Sequence, residues 1–311
     1  SRATFVTPPE APLPENGQVV RMLLAAGLYD TALNELQYAR KVWGDSSAIQ
    51  ATVAWTDQQM SRGEIGMPRF QLLRGAINAM KRAYPQYMTV EGNELPREVQ
   101  TVIFPIAYWE LIKKHATAND LDPYLMAALV SQESTFVADI RSHANAYGLT
   151  QLLPSTARQY AQKVNVSYST RVLTDPEANL RIGTRYFAEL LQRMGSVPLA
   201  LASYNAGERP VRQWLAAKAD LPSDEFIDDI PYPETQQYVR KILGTAEDYR
   251  RLYGEGATFD DSLDKTPTLS RAAATPAAKS AAPAKAAPAK KPTPKPMPTP
   301  TVKPRSKATK P

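Results

Sequence analysis

Apolar residues recur at helical spacing along most of the chain between Gln18 and Tyr253. Side chains three and four positions apart lie on one face of an α-helix, so this spacing predicts helices that each bury one face. Alternating runs of β-branched residues, which would indicate strands, are nearly absent. The pattern therefore predicts an all-α fold.

Glycine and proline residues divide this pattern into separate helices. In the first third of the chain a helix, a glycine and a second helix follow one another, which is the unit of an α-solenoid. No strict repeat length is present, so we interpret this part as an irregular, superhelix-like array. The predicted helices span 18–26, 28–36, 47–60 and 70–82 in this array, and 105–118, 123–133, 176–193, 198–206, 210–219 and 233–253 after it.

Composition predicts four segments. Residues 1–17 are proline-rich and predict an extended arm, 18–95 form the superhelical segment, and 96–256 form a second helical domain. In residues 257–311 Ala, Pro and Lys repeat and apolar content collapses, so a disordered tail is predicted. The superhelical segment is too short to cap itself and Ser1 is not an initiator methionine, so we expect a processed or trimmed chain whose export signal is not visible.

Charge is distributed unevenly between the helical part and the tail. The net charge is +6, but eleven of the 37 basic residues lie between Lys265 and Pro311, where no acid occurs. The rest of the chain carries 26 basic and 31 acidic residues, which argues against a nucleic-acid-binding core. The cationic tail has two compatible interpretations, a solvated tether or an electrostatic grip on an anionic polymer.

Three absences in the sequence narrow the chemistry. The chain has no cysteine, so disulfides, thiol nucleophiles and cysteine zinc sites are excluded. Its two histidines, His115 and His143, are too few for a histidine-based metal cluster and are interpreted as structural. No apolar run approaches the ~18 residues of a membrane-spanning helix.

One acid lies at the end of an apolar helix. Glu133 follows the run from Leu125 to Val130, and Leu125 and Leu129 precede it by two turns and one turn on the same face. The carboxyl group of Glu133 is therefore predicted to point inward. Apolar surroundings disfavour the charged form of a carboxyl group and raise its pKa toward the range of a general acid.

Five short motifs follow in order. They are Gln132-Glu133-Ser134, Gly148-Leu149-Thr150-Gln151, Pro154-Ser155-Thr156-Ala157, Ser203-Tyr204-Asn205-Ala206-Gly207 and Ile230-Pro231-Tyr232-Pro233-Glu234-Thr235-Gln236-Gln237-Tyr238-Val239. Together they resemble the catalytic domain of soluble lytic transglycosylases, bacterial lysozyme-like enzymes of glycoside hydrolase family 23, over about residues 100–255. The helices before this region resemble the end of the α-superhelix that precedes the domain in larger members.

The resemblance implies an activity and a set of site residues. The implied reaction cleaves the β-1,4 bond between N-acetylmuramic acid and N-acetylglucosamine in peptidoglycan and leaves a 1,6-anhydro product, in the periplasm or cell envelope. Glu133 matches the catalytic acid. Substrate contacts are implied for Ser142, Gln151, Tyr204, Asn205, Glu234 and Tyr238. The glycan strand is the implied partner, and no cofactor or metal is implied.

The residues around Glu133 suggest how one acid could suffice. Most glycosidases use two carboxylates, but near Glu133 the sequence offers only Asp139. In a site with one carboxylate, the 2-acetamido oxygen of the sugar can attack its own anomeric carbon, and the muramoyl 6-hydroxyl can then displace it. Glu133 would act as acid and then as base. Ser142 would orient the acetamido group, and Tyr204 would lie near the developing positive charge.

Other interpretations of the whole site and of single residues stay open. The protein could be a muramidase in which water attacks, or a non-catalytic glycan-binding scaffold. Ser142 could stabilise a turn, Tyr238 could belong to the core, and Glu234 could favour a helix dipole. The resembled family commonly has Met at the position of Thr150 and a small residue at that of Tyr147. These departures leave the shape of the groove and the substrate preference open. The sequence does not decide between endo- and exo-action.

Overall fold

The computed structural model describes residues 14–217 and 225–254. In this part of the chain it contains twelve α-helices, five short 3-10 helices and no β-strand, which confirms the all-α prediction. The predicted tail and residues 1–13 of the predicted arm lie outside the described residues.

All ten predicted helices are present in the described residues, with shifted ends. The first five are α1 Gly17–Ala25, α2 Tyr29–Trp43, α3 Ser47–Met60, α4 Gly66–Ala83 and α5 Arg97–Ile103. The next seven are α6 Trp109–Thr117, α7 Pro123–Ser134, α8 Pro154–Lys163, α9 Pro176–Met194, α10 Val197–Ala206, α11 Glu208–Ala217 and α12 Pro233–Tyr253. The C-terminal end predicted for α11, residues 218 and 219, lies outside the described residues.

Two predictions around residue 100 were wrong. Residues 97–103 form helix α5, whereas Gly92, Asn93 and Pro96 predict a loop that lasts until residue 105. Helix α6 begins at Trp109 instead of residue 105, because Tyr108 adopts a left-handed conformation with φ of 56° directly before it. A left-handed residue cannot continue a right-handed helix, so the apolar periodicity of 105–108 belongs to a buried connection.

The main hydrophobic core extends from Ala51 to Tyr253. It contains buried side chains from α3 and α4 as well as from the later helices, so helices on both sides of residue 95 share one core. A smaller cluster, which includes Val20 and Leu36, connects α1, α2 and α3. The division of the chain into segments at residue 95 stays a prediction.

Helix α7 carries Glu133, and its ends match the sequence signals. The side chain of Asp122 accepts a hydrogen bond from the backbone N–H of Tyr124 at 2.9 Å, which caps the first turn. Leu125 and Leu129 are buried, and α7 packs along α12. Thr135, in the left-handed region with φ of 51°, ends the helix two residues after Glu133. Both ends of α7 therefore fix where the carboxyl group lies.

The turn at Gly148 is held by one buried amide on α9. Asn179 Oδ1 accepts hydrogen bonds from the backbone N–H and the hydroxyl of Thr150, at 2.9 and 2.7 Å. Asn179 Nδ2 donates to the carbonyl oxygens of Tyr147 and Leu173, at 3.0 and 2.8 Å. Gly148 has φ of 74° and lies against the same amide. This arrangement fixes the turn from which Gln151 extends toward the site.

We predict that Gly148→Ala destabilises the fold strongly. A Cβ atom at Gly148 would lie 2.1 Å from the carbonyl oxygen of Leu173 and 2.3 Å from Asn179 Nδ2, in addition to the strain of a left-handed alanine. Urea denaturation should show a loss of about 2–6 kcal/mol, the combined cost of backbone strain and overpacking.

Gly27→Ala is the matched control for this substitution. Gly27 has the same φ of 74°, but nothing lies within 4 Å of a Cβ atom placed there. The loss of folding stability in Gly27→Ala should therefore come from backbone strain alone and amount to about 1–2 kcal/mol. Equal losses in the two variants would contradict the role assigned to the contacts of Gly148 with Asn179 and Leu173.

Candidate active site

Glu133 lies between two cavities at the C-terminal end of α7. The α12 cavity, about 230 Å³, is lined by Gln132, Glu133, Asn205, Glu234, Gln237, Tyr238 and Lys241. The α4 cavity, about 510 Å³, is lined by Met67, Phe70, Gln71, Arg74, Glu133, Ile140, Arg141, Ser142, His143 and Gln151. Glu133 is the residue common to the two linings. A ligand that extends through both cavities would pass its carboxyl group.

The pKa of Glu133 is raised to about 7. Burial is the main cause, because removal from water disfavours the carboxylate. The hydroxyl of Tyr238 donates a hydrogen bond to Glu133 Oε1, which favours the carboxylate and opposes part of this shift. At neutral pH the group is therefore poised to give up a proton and to take one back.

The raised pKa of Glu133 also couples the protonation of this residue to folding. Because the pKa of Glu133 in the folded state exceeds the usual value of 4.5 for a glutamate, the protonated form favours folding. This contribution is complete below the unfolded pKa and is lost as the pH rises through about 7. At alkaline pH, burial of the ionised carboxyl group therefore opposes folding.

Tyr238 is both a core residue and a contact of Glu133. Its side chain is only 5% exposed and belongs to the main core, while its hydroxyl reaches the carboxyl group from α12. Burial and the neighbouring Glu133 raise the pKa of Tyr238 well above its usual range, so its hydroxyl stays protonated and remains a donor. Tyr238 can therefore be part of the core and part of the site at the same time.

Tyr204 and Asn205 lie at the end of α10, and both have protein partners. The Tyr204 hydroxyl donates to the carbonyl oxygen of Thr150 at 2.6 Å, and its ring packs on Tyr186 with centroids 5.1 Å apart. Asn205 is exposed in the α12 cavity, and its Oδ1 accepts a hydrogen bond from the Thr235 hydroxyl at 2.7 Å. Tyr204 therefore tethers the Gly148 turn, whereas Asn205 keeps its amide N–H groups available.

Ser142 and Gln151 line the α4 cavity and also hold its backbone. Ser142 Oγ accepts a hydrogen bond from the backbone N–H of Ala146 at 3.0 Å, as expected for the turn-stabilising interpretation. Gln151 Nε2 donates to the carbonyl oxygen of Gly148 at 2.9 Å. Both side chains border the same cavity as Glu133, so a structural role and a ligand contact coexist at each position.

Two other carboxylates are near enough in sequence or space to be compared with Glu133. Asp139 is exposed and accepts a hydrogen bond from the backbone N–H of Gly66 at 2.8 Å, so it holds the first turn of α4. Glu234 is exposed, lies in the first turn of α12 and lines the α12 cavity together with Glu133. Glu234 is therefore the carboxylate that a two-acid mechanism would use.

Several residues of the site were not predicted from the sequence. Asn179 was missed because a buried amide inside a helix has no sequence signal. Met67, Phe70 and Arg74 were missed because they belong to α4, which precedes the motif region. Gln132 and Lys241 were adjacent to recognised positions, since Gln132 precedes Glu133 and Lys241 lies one turn after Gln237 in the α12 cavity.

Two residues depart from the family pattern, Thr150 and Tyr147, and both lie on the side of the Gly148 turn that faces α9. Thr150 is fully buried and bonded to Asn179, and it packs where Gly183 leaves room on α9. The Tyr147 hydroxyl donates to Asn145 Oδ1 at 2.9 Å, and the guanidinium of Arg141 lies over its ring. Neither residue lines the cavities beside Glu133.

His115 is buried near Glu177, whereas His143 borders the α4 cavity.

The all-α fold and the poised acid at the end of α7 are those of a lysozyme-like helical domain. Residues 110–227 match the family model of the transglycosylase SLT domain, and part of the chain is similar to soluble lytic murein transglycosylases. Among the residues that the structure describes, no group of three or more His, Asp or Glu side chains could hold a metal ion. None of the helices described is long and apolar enough to cross a membrane.

Bacterial and phage transglycosylases are similar to part of the chain. The chain is 33% identical over 160 residues to the soluble lytic murein transglycosylase of Escherichia coli K12, and 34% identical over 117 residues to a transglycosylase of phage PRD1. These matches cover 50% and 38% of this chain, and 25% and 41% of the relatives. The chain thus spans about a quarter of the length of the Escherichia coli relative.

Solved structures match a larger part of the chain. The 70 kDa soluble lytic transglycosylase of Escherichia coli aligns with a TM-score of 0.54 at 26% identity, over 82% of this chain and 38% of that one. An inactive mutant of the lytic transglycosylase Slt from Pseudomonas aeruginosa, with Gln in place of a Glu, aligns with a TM-score of 0.54 at 27% identity, over 77% and 36%.

We predict that Tyr238→Phe raises the pKa of Glu133 above its value of about 7. The lost hydrogen bond favours the carboxylate, so its removal leaves burial unopposed. The carboxyl carbon of Glu133 can be titrated by ¹³C NMR. In the control Tyr204→Phe the lost hydroxyl contacts Thr150 instead of Glu133, so the pKa should stay near 7. A lower pKa in Tyr238→Phe would contradict the assigned hydrogen bond.

Proposed function

We propose that this protein is a lytic transglycosylase that cleaves peptidoglycan strands between N-acetylmuramic acid and N-acetylglucosamine. The observation that carries the proposal is the raised pKa of Glu133 at the junction of two cavities, within a transglycosylase SLT domain. In this assignment Glu133 is catalytic, and Ser142, Gln151, Tyr204, Asn205, Glu234 and Tyr238 form the site around the strand.

In the first proposed step, the protonated carboxyl group of Glu133 gives its proton to the glycosidic oxygen. The bond between that oxygen and the anomeric carbon breaks, and the carbonyl oxygen of the 2-acetamido group bonds to the same carbon. Glu133 is left as a carboxylate, which the hydrogen bond from Tyr238 stabilises. Ser142, on the α4 cavity, would help to orient the acetamido group.

In the second step, the 6-hydroxyl oxygen of the muramoyl residue bonds to the anomeric carbon and displaces the acetamido oxygen. The hydroxyl proton passes to the Glu133 carboxylate, which restores the starting enzyme. No water is consumed, and a 1,6-anhydro ring is formed. Attack within one molecule avoids the entropy cost of bringing in a separate nucleophile, a gain of about 7–11 kcal/mol in well-oriented cases.

The role that we propose for Tyr204 does not include a contact between its hydroxyl group and the sugar. Because that hydroxyl is bonded to the Thr150 carbonyl, Tyr204 would act through its ring and through its hold on the Gly148 turn. Asn205, with free amide N–H groups in the α12 cavity, would contact the sugar directly.

We infer a location in the periplasm or cell envelope, because that is where the proposed substrate lies. The relatives include a membrane-bound lytic murein transglycosylase of Escherichia coli, 34% identical over 149 residues. We also propose that residues 18–95 and 96–256 are the superhelical and catalytic segments of one unit, and that residues 257–311 serve as a tether, a grip on the anionic polymer, or both.

Glu133→Gln should retain the fold and lower the rate of anhydro-sugar release by about 10²–10⁴-fold, the usual contribution of a general acid. The released muropeptides can be measured by mass spectrometry of digested sacculi. A Glu→Gln substitution is also present in the inactive Slt of Pseudomonas aeruginosa. Since glutamine carries no charge, this variant should also be more stable than the parent above pH 7. Retained turnover would contradict the catalytic assignment.

Glu234 on the α12 cavity supports one competing function, a muramidase in which this carboxylate activates water. Products of the two reactions differ by the mass of one water molecule, because only hydrolysis adds water. We expect Glu234→Gln to weaken strand binding and leave the product in the anhydro form. Hydrated products from the parent, lost in Glu234→Gln, would establish the competing function.

A further inference from the structure

Helix α12 holds two side chains of the candidate site by hydrogen bonds from its buried face. The Tyr238 hydroxyl donates to Glu133 on α7. Three residues earlier, the Thr235 hydroxyl donates to Asn205 Oδ1 on α10 at 2.7 Å. Residues three apart lie on one face of a helix, and both side chains are buried, with Thr235 only 2% exposed. Both contacts reach the α12 cavity, which Glu133, Asn205 and Tyr238 line.

The position of Thr235 in its helix explains why its hydroxyl group is free to contact another helix. A buried threonine inside a helix commonly donates to the carbonyl oxygen four residues earlier, as Thr52 and Thr56 do in α3. Thr235 lies in the first turn of α12, so the residue four positions earlier, Pro231, precedes the helix. Within the described part of the chain, the bond to Asn205 is the one side-chain hydrogen bond that Thr235 makes.

The bond from Thr235 decides which end of the Asn205 amide is available to a ligand. Rotation of an asparagine amide by half a turn exchanges its acceptor oxygen and its donor nitrogen. Because Oδ1 accepts the Thr235 hydroxyl, the oxygen is held toward α12, and the two N–H groups of Nδ2 are left for the α12 cavity. Asn205 is exposed in this cavity and makes no other side-chain hydrogen bond among the described residues. The fixed amide therefore presents donors to a ligand.

We propose that Thr235 is a positioning residue, which holds the Asn205 amide so that its N–H groups donate to an acceptor oxygen of the glycan strand. This inference rests on the proposed function for the identity of the ligand. A donor that is already fixed loses no further rotational freedom when the strand binds, and it disfavours a ligand that presents an N–H group at the same place. Thr235 thus contributes to strand affinity although it does not line the α12 cavity.

The first arm of the test observes the amide itself by ¹³C NMR. The signal of the Asn205 side-chain carbonyl carbon, assigned by its absence in Asn205→Ala, should move upfield in Thr235→Val, because a carbonyl that accepts no hydrogen bond is more shielded. Thr235→Ser, which keeps the hydroxyl group, should keep the parent signal. Thr56→Val is the matched control, since it removes another buried hydroxyl group, one that donates within α3. The Asn205 signal of this control should equal that of the parent.

The second arm measures turnover of glycan strands. In Thr235→Val, KM should rise about fivefold, as expected for the loss of one neutral hydrogen bond. The value of kcat should stay within about twofold of the parent value, because the contact acts on binding of the strand. Thr235→Ser and Thr56→Val should keep the parent KM. In an Asn205→Ala background, Thr235→Val should cause no further rise in KM, because the side chain that Thr235 positions is missing.

Three results would overturn the inference. The first is an unchanged Asn205 carbonyl signal in Thr235→Val, and the second is an unchanged KM in this variant although the signal has moved. The third is an equal rise of KM in Thr56→Val, which would trace the effect to the loss of any buried hydroxyl group. Thr235→Ala removes the same hydroxyl group and replaces the valine variant in both arms if that variant does not fold.

Failure of the proposed function gives a different result. Absence of strand cleavage by the parent would overturn that function, and the NMR arm would still decide whether Thr235 holds the Asn205 amide. Calorimetric titration with the same strands would then replace KM by Kd in the comparison of the variants. A Kd about fivefold higher in Thr235→Val than in the parent and in Thr235→Ser would support the inference, and equal Kd values would overturn it.

Discussion

The site depends on one contact between two helices, the hydrogen bond from Tyr238 on α12 to Glu133 on α7. Burial against the core drives the carboxyl group toward its neutral form, and the tyrosine hydroxyl limits that shift, so the pKa settles near 7. Burial of the Tyr238 ring in the same core holds the donor in place. The packing of α7 on α12 therefore sets both the position and the acidity of the proposed catalytic group.

A second constraint is the polar connection between α9 and the Gly148 turn. The amide of Asn179 makes four hydrogen bonds to Thr150, Tyr147 and Leu173, and Tyr204 adds a fifth bond to the Thr150 carbonyl from α10. A buried network with every member satisfied specifies one backbone geometry. This geometry places Gln151 beside the α4 cavity, so residues far from Glu133 in sequence determine the shape of its surroundings.

Helix α4 precedes the matched domain in sequence, yet its residues line the α4 cavity beside Glu133. Its contacts with the later helices are part of the main core, and Gly66 at its first turn is held by Asp139. Helix α4 thus contributes a wall of the proposed site as well as part of the core. Removal of this helix would open the site in addition to weakening the core.

The sequence by itself determined ten of the twelve helices in the described residues, the cap at Asp122 and the inward position of Glu133, because these depend on local spacing and on side chains a few residues apart. Helices α5 and α8 and the left-handed conformation of Tyr108 were not predicted from the sequence. Only the tertiary structure decided that Tyr238, 105 residues away, is the partner of Glu133. Periodicity shows which face of a helix is buried, but the choice of facing helix depends on how all the buried faces pack together.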